Sequence, residues 1–370
     1  AGVRSDPAGQ KARYEKLAAS FPRDERALTL LGNYHFGRQE YEDAIRAYER
    51  AVAVNPEFSQ PYNQMGYAHR LLGRYDQAEE AFKRYIELIP EDPNPYDSYA
   101  ELLMKRGRFE ESIRSYEKAL AVDPHFVASY VGIGLNQVYL GRAGEARATY
   151  AKLEARARNS GERRQAMARA AQSHVYEGAF DKALEAVQGM YAVAEGLGDK
   201  AAMAADLGLM GNILLEAGRP DAARERFAKS LEMSEQAPTP DEVKEAARRG
   251  MLFNEARVAL ARGDTAAARA RAKEYADAAG VRKVPFEIRQ SHEIAGLIAL
   301  HQEDHATAVA ELEQANQQDP RVLYHLARAH RGRGDARAAR EACREAAEHN
   351  GLNFNYAYVR EKARRMLAEI

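Results

Sequence analysis

Residues Tyr62–Pro90 read YNQMGYAHRLLGRYDQAEEAFKRYIELIP. Large and small side chains alternate at Tyr62, Met65, Gly66 and His69. The three- and four-residue spacing then breaks at Gly73-Arg74-Tyr75-Asp76 and resumes at Ala78, Phe82 and Tyr85. That spacing puts the marked residues on one face of a helix, and a polar break containing glycine marks a turn. Pro90 closes the second segment, because an interior proline loses a backbone hydrogen bond and clashes with the preceding turn. The stretch reads as helix, turn, helix.

The same marks recur at an interval of 34 residues. Upstream they are Leu28, Leu31, Gly32, His35, Ala44, Tyr48, Ala51 and Pro56. Downstream they are Tyr96, Tyr99, Ala100, Leu103, Ser112, Tyr116, Ala119 and Pro124, then Tyr130, Ile133, Gly134, Ala146 and Tyr150 without the proline. Glycine or alanine at 32, 44, 66, 78, 100, 134 and 146 removes bulk where helices cross, and the aromatics at 48, 82, 116 and 150 fill the adjoining gaps. Period and residue set together resemble the tetratricopeptide repeat (TPR) family. The resemblance covers residues 25–150 closely and returns at Gly296, Ala308, Leu312, Ala315 and Pro320. The family's tryptophan at the fourth position is replaced by Leu28, Tyr62, Tyr96 and Tyr130, each still a large apolar plug. The resemblance implies an all-α fold: an α-α superhelix, or TPR solenoid, of stacked helix-turn-helix repeats with a C-terminal capping helix.

The expected organisation has five parts. Residues 1–24 form an N-terminal half repeat or cap helix, because Tyr14 and Pro22 stand 34 residues ahead of Tyr48 and Pro56 with no first helix before them. This piece either caps the stack or was cut from a longer protein. Residues 25–160 hold four regular units. Residues 161–285 hold longer, degenerate units marked by Ala183, Gly211, Ala223 and Phe227, and Gly263–Ala268 echoes Gly218–Ala223 after 45 residues, which points to longer helices. Two further units occupy 286–350, and 351–370 is the capping helix, from about Tyr356, whose Arg364, Arg365 and Glu369 would face outward.

Lysine plus arginine (54) nearly balances aspartate plus glutamate (55), so no general field draws nucleic acid or anionic lipid, and neither is expected as a partner. Charge is unevenly placed, acidic around Glu79–Glu111 and basic from Arg328 to Arg365, as solvated helix faces commonly are. Cys343 is the sole cysteine, which excludes an intramolecular disulfide and a cysteine zinc site. The longest nearly apolar run, Phe126–Leu135, is too short to span a bilayer, so direct membrane insertion is not expected and a soluble chain is. The chain opens at Ala1 rather than methionine, so either a chosen boundary or a removed leader precedes it; cytoplasm and periplasm both stay open.

Enzyme-like motifs fail on their own chemistry. No glycine is followed by lysine, so a phosphate-cradling Walker loop is absent. Gly132-Ile133-Gly134 has Gln137 where a dinucleotide fingerprint needs its third glycine, and reads as helix packing. His301-Gln302-Glu303-Asp304-His305 lacks the glutamate directly after the first histidine that a zincin requires, and falls on an inter-helix turn. His35 and His69 share one repeat position, which suits half-buried packing. Cys343 occupies the last unit's aromatic slot, as a core residue would. No catalytic residue, metal or cofactor is expected.

In the TPR family the first helices of successive units line a concave groove through their second, fifth, ninth and twelfth positions. By that resemblance the groove here comprises Arg26, Thr29, Asn33 and Phe36; Gln60, Asn63, Tyr67 and Arg70; Asn94, Asp97, Glu101 and Met104; and Ala128, Val131, Leu135 and Val138. Amides and tyrosine can hydrogen-bond an extended peptide. The apolar end either seats an anchor or packs against neighbouring helices. Family members that hold acidic chaperone tails use a clamp of lysine, arginine and asparagine. Here Asn33 matches one clamp position, whereas Thr29, Gln64, Asn94 and Ser98 replace the others and Asp97 and Glu101 would repel the tail. A non-enzymatic scaffold or adaptor for a protein or peptide partner is the leading expectation. The alternatives are a sensory or regulatory module of a larger protein, and a small-molecule or hydrolytic site in the groove. Partner identity and oligomeric state are not written in the residues.

Overall fold

The computed structural model describes residues 7–352 and 354–370. Twenty α-helices and no strand occur among them, arranged as an all-α series of TPR-type helix pairs. The chain forms two compact units, one ending at Leu140 and one beginning at Gly141.

In the first unit α1 (Pro7–Ser20) packs on α2 (Glu25–Gly37), and the pairs α2 with α3 (Tyr41–Val54), α4 (Gln60–Leu71) with α5 (Tyr75–Leu88), and α6 (Pro93–Lys105) with α7 (Phe109–Val122) follow. Helix α8 (Val127–Tyr139) packs on α7 and closes this unit. Local chemistry sets the ends. Asp24 and Asp92 cap α2 and α6 by accepting from the free backbone N–H groups of the first turn. Between helices Gly73 adopts φ 74° and Gly107 φ 75°, the left-handed conformation that glycine reaches without steric cost.

The small-against-large pattern is visible atom by atom. A Cβ at Gly32 would lie 2.3 Å from the Tyr48 ring, and one at Gly66 would lie 2.5 Å from Phe82. Gly132 meets Tyr116 in the same way, which places it in helix packing as expected. Tyr48, Phe82 and Tyr116 are essentially fully buried.

The second unit begins with α9 (Ala143–Arg156) and continues through α10 (Ser160–Tyr176), α11 (Phe180–Gly196), α12 (Lys200–Glu216), α13 (Pro220–Gln236), α14 (Asp241–Ala261), α15 (Thr265–Arg282), α16 (Pro285–His301), α17 (His305–Leu312), α18 (Pro320–Gly332), α19 (Ala336–Ala347) and α20 (Tyr356–Glu369). Helices α10 to α16 run 17 to 21 residues, against 12 to 14 in α1 to α9. This accounts for the longer interval between repeat marks. The glycine–aromatic pairing persists, with Gly211 against Phe227. The His301–His305 segment is the turn between α16 and α17, and Cys343 is buried, its thiol donating to the Ala363 carbonyl at 3.0 Å.

Helix α20 does more than the expected lid. It covers α18 and α19, but it also packs on α10, and Ala357, Tyr358 and Val359 join a core cluster with residues of α10 to α12. Tyr176 donates to Glu361 at 2.9 Å, and Gln172 donates to the Tyr356 hydroxyl at 3.3 Å. Arg364, Arg365 and Glu369 stay exposed on the outer face as expected, with Arg364 also bonding Glu361 and the Tyr176 hydroxyl and Glu369 pairing with Arg331. Arg360, on the same helix, is buried and donates to Asn350.

Candidate functional site

Helices α2, α4, α6 and α8 touch one another in succession, so the first helices of the N-terminal repeats form one continuous face. Its centre is a polar chain linking adjacent repeats. The Tyr67 hydroxyl donates to Ser98 Oγ at 3.1 Å, and Arg70 Nη1 donates to Glu101 Oε2 at 2.9 Å. The Arg70 guanidinium also lies 4.8 Å from the Tyr67 ring centroid, a cation–π contact, and the same ring meets Phe82 edge-on. Ser129 donates to Asp97 Oδ1 at 3.0 Å, carrying the chain into α8.

The remaining amides behave differently. Asn33 accepts from the Tyr48 hydroxyl at 2.8 Å, tying together the two helices of its own repeat, and Asn94 donates to the Tyr85 hydroxyl at 3.2 Å, tying α6 to α5 of the preceding repeat. The side-chain oxygen of Asn63 is buried with no donor among the described residues.

Burial separates the expected groove residues into two sets. Arg26, Asn33, Phe36, Asn63, Tyr67, Arg70 and Glu101 keep partial or full exposure, with Arg26 held against Asp24 and Phe36 edge-on to Tyr41. Thr29, Asp97, Met104, Val131 and Leu135 are buried. Thr29 returns its hydroxyl to the Glu25 carbonyl at 2.6 Å, and Met104, Val131 and Leu135 present almost no surface. Of the two readings open for the apolar end, packing is the one their burial favours.

Electrostatics follow from that burial. Asp97 is 6% exposed, and its carboxyl is pushed up to about 7 by desolvation, with the Glu101 charge adding and the Ser129 hydrogen bond opposing. The Tyr67 hydroxyl is pushed up to about 12, chiefly by burial and then by Glu101. Asp97 therefore keeps its proton toward neutral pH under the face, while Arg70 and Glu101, at 23% and 20% exposure, carry its accessible charge. Among the described residues no helix is long and apolar enough to cross a membrane.

Tetratricopeptide-repeat models match residues 11–53, 29–93, 93–126, 252–274 and 320–345. The chain belongs to the tetratricopeptide-repeat family. No curated protein matches it. Among solved TPR-like structures, MamA shares 24% identity at TM-score 0.37, over 40% of this chain and 86% of its own. A MamA from Desulfovibrio magneticus RS-1 shares 17% identity at TM-score 0.37, over 40% and 84%. PilW, described as a type IV pilus biogenesis factor, shares 17% identity at TM-score 0.38, over 68% and 92%.

Two features of this TPR chain escape a reading of the repeat alone: the docking of α20 on α10, and a polar cleft in the second unit lined by Arg257, Glu293, Arg321 and Tyr358. The second gathers its residues from α12, α14, α16, α18 and α20. Its one sequence signal is the run Tyr356-Ala357-Tyr358-Val359, which is apolar on every side of a helix.

Proposed function

We propose that this chain is a non-enzymatic adaptor whose first-helix face, from α2 to α6, receives an extended peptide or loop of a partner protein. The observation that carries the reading is the state of Arg70. Its guanidinium is held in place from below by the Tyr67 ring and from the side by Glu101, yet it remains partly exposed. An arginine fixed in this way has lost its rotamer freedom before binding, and its other N–H groups can meet peptide carbonyls or a carboxylate without that entropic cost. Asn63 and Asn33 flank it on the neighbouring turns and helix, where amide side chains suit a peptide backbone. The set is mixed in charge, so it favours a partner chosen by hydrogen bonding over one drawn in by net field.

Affinity capture followed by cross-linking mass spectrometry tests this. The expectation is that Arg70→Gln combined with Asn63→Ala loses the partners captured specifically by the unaltered chain, while circular dichroism shows the helices intact. Capture of the same partners by the folded double variant would assign binding to another surface.

A further inference from the structure

The second unit contains a cleft of about 90 Å³ among α12, α14, α16, α18 and α20, with Arg257, Arg321, Glu293, His325, Tyr358 and Lys362 in its walls. Two of the three cations lining this cleft are matched. Lys362 pairs with Glu216, and Arg321 lies 3.2 Å from Asp319 and 3.9 Å from Glu293. Arg257 is the exception. Its guanidinium meets the amide oxygens of Asn212 at 2.8 Å and Asn254 at 3.2 Å and lies 5.6 Å from the Phe253 ring centroid, a cation–π contact, but it forms no ion pair among the described residues.

Donors outnumber acceptors here. The Tyr358 hydroxyl is buried without a partner in a residue only 7% exposed, and the Arg321 Nε–H is likewise buried and unmatched. Leaving buried donors unpaired is costly, and leaving a desolvated cation without a counter-charge costs more. The surroundings soften the two acidic features that would oppose an anion. Burial pushes the Glu293 carboxyl up, toward its neutral form, and Glu216 is already neutralised by Lys362. Desolvation brings Arg257 down to about 10 and His325 down to about 3, so at neutral pH the arginine is still a cation and the histidine is uncharged.

We propose that this cleft binds one small oxyanion, a carboxylate or phosphate group, between Arg257, Arg321 and the Tyr358 hydroxyl. The volume admits a few waters or a single polyatomic anion and has no room for a length of peptide. The three donors sit on α14, α18 and α20, so an anion held among them fastens the C-terminal helix to the inner wall of the second unit. The site is separate from the peptide face, which lies in the first unit.

Isothermal titration calorimetry on the full chain in low-chloride buffer, with inorganic phosphate and with acetate as the two probes, tests the proposal. One saturable site per chain is expected for at least one probe, and the probe that binds identifies phosphate or carboxylate as the ligand class. Arg257→Gln should weaken it by about tenfold or more, the usual effect of removing a charged hydrogen-bond donor, and Tyr358→Phe by several-fold. The exposed Arg337→Gln should leave it unchanged. If Arg257→Gln does not fold, Tyr358→Phe, which keeps the ring, decides. The absence of saturable binding for both probes would overturn the site. So would equal weakening by Arg337→Gln, or unchanged affinity in a folded Arg257→Gln or Tyr358→Phe.

Discussion

Asp97→Asn should stabilise this protein at alkaline pH and do almost nothing in acid. Asp97 lies at the bottom of the first-helix face, 6% exposed, and accepts one hydrogen bond from Ser129 at 3.0 Å. Desolvation, reinforced by Glu101, lifts its carboxyl from 3.8 to about 7. The folded state thus binds the proton more tightly than the unfolded chain does. The favourable contribution of the protonated group is complete below about pH 4 and is lost as pH rises through about 7. A displacement of about three units, at about 1.4 kcal/mol each, sets a ceiling on the order of 4 kcal/mol for the cost of the ionised form at pH 8. Asparagine keeps the acceptor for Ser129 and cannot ionise. The variant is expected to gain on the order of 2–4 kcal/mol over the unaltered chain at about pH 8, and close to nothing at about pH 4. The chain has no tryptophan, so urea unfolding is followed by far-UV circular dichroism at both pH values. Equal midpoints at high pH would refute the reasoning, as would a gain of the same size in acid.

Three more outcomes follow from packing. Gly66→Ala places a methyl 2.5 Å from the Phe82 ring and should cost roughly 1–3 kcal/mol in urea unfolding, whereas the same change at Gly37, with open space around it, should cost far less. Arg164→Gln removes the cation 2.8 Å from Asp206, a carboxylate 2% exposed and pushed up to about 6 by burial; a loss of about 3 kcal/mol is expected at pH 8 and a smaller one at pH 4, where Asp206 takes up a proton. Cys343, buried under α20, should resist a thiol reagent in the native chain and react fully in denaturant, so rapid native labelling would show that α20 is not docked.

The repeat was legible because its signal is redundant: the small residue at 32, 66, 100, 134 and 211 is matched sixteen residues later by a ring, and the structure brings Gly32 to Tyr48, Gly66 to Phe82 and Gly211 to Phe227. Depth was harder to read. Periodicity says which way a side chain points along its own helix, and it put Tyr67, Arg70, Asp97 and Met104 on one face. It does not say how closely the next repeat's first helix approaches, and that approach decides exposure. Tyr67 and Arg70 stay partly open, whereas Asp97 and Met104 are covered. The cleft around Arg257 was illegible for a related reason. Its walls come from five helices spread over about 150 residues, and a desolvated arginine looks the same in a sequence as a solvated one.

The C-terminal helix shows where a pattern rule carries more than was drawn from it. A lid on the end of a stack needs one apolar face and one polar face. Tyr356 and Tyr358 are two positions apart, so they project to nearly opposite sides of a helix, and Ala357 and Val359 fill the sides between them. No single neighbour can hide all four. Burial of the whole run requires surfaces on both sides of α20, and the second unit supplies them: α18 and α19 on one side, α10 to α12 on the other. The helix that ends the stack is thereby also part of its inner wall. For that reason Tyr358 can contribute a donor to a cleft whose other residues lie far earlier in the chain.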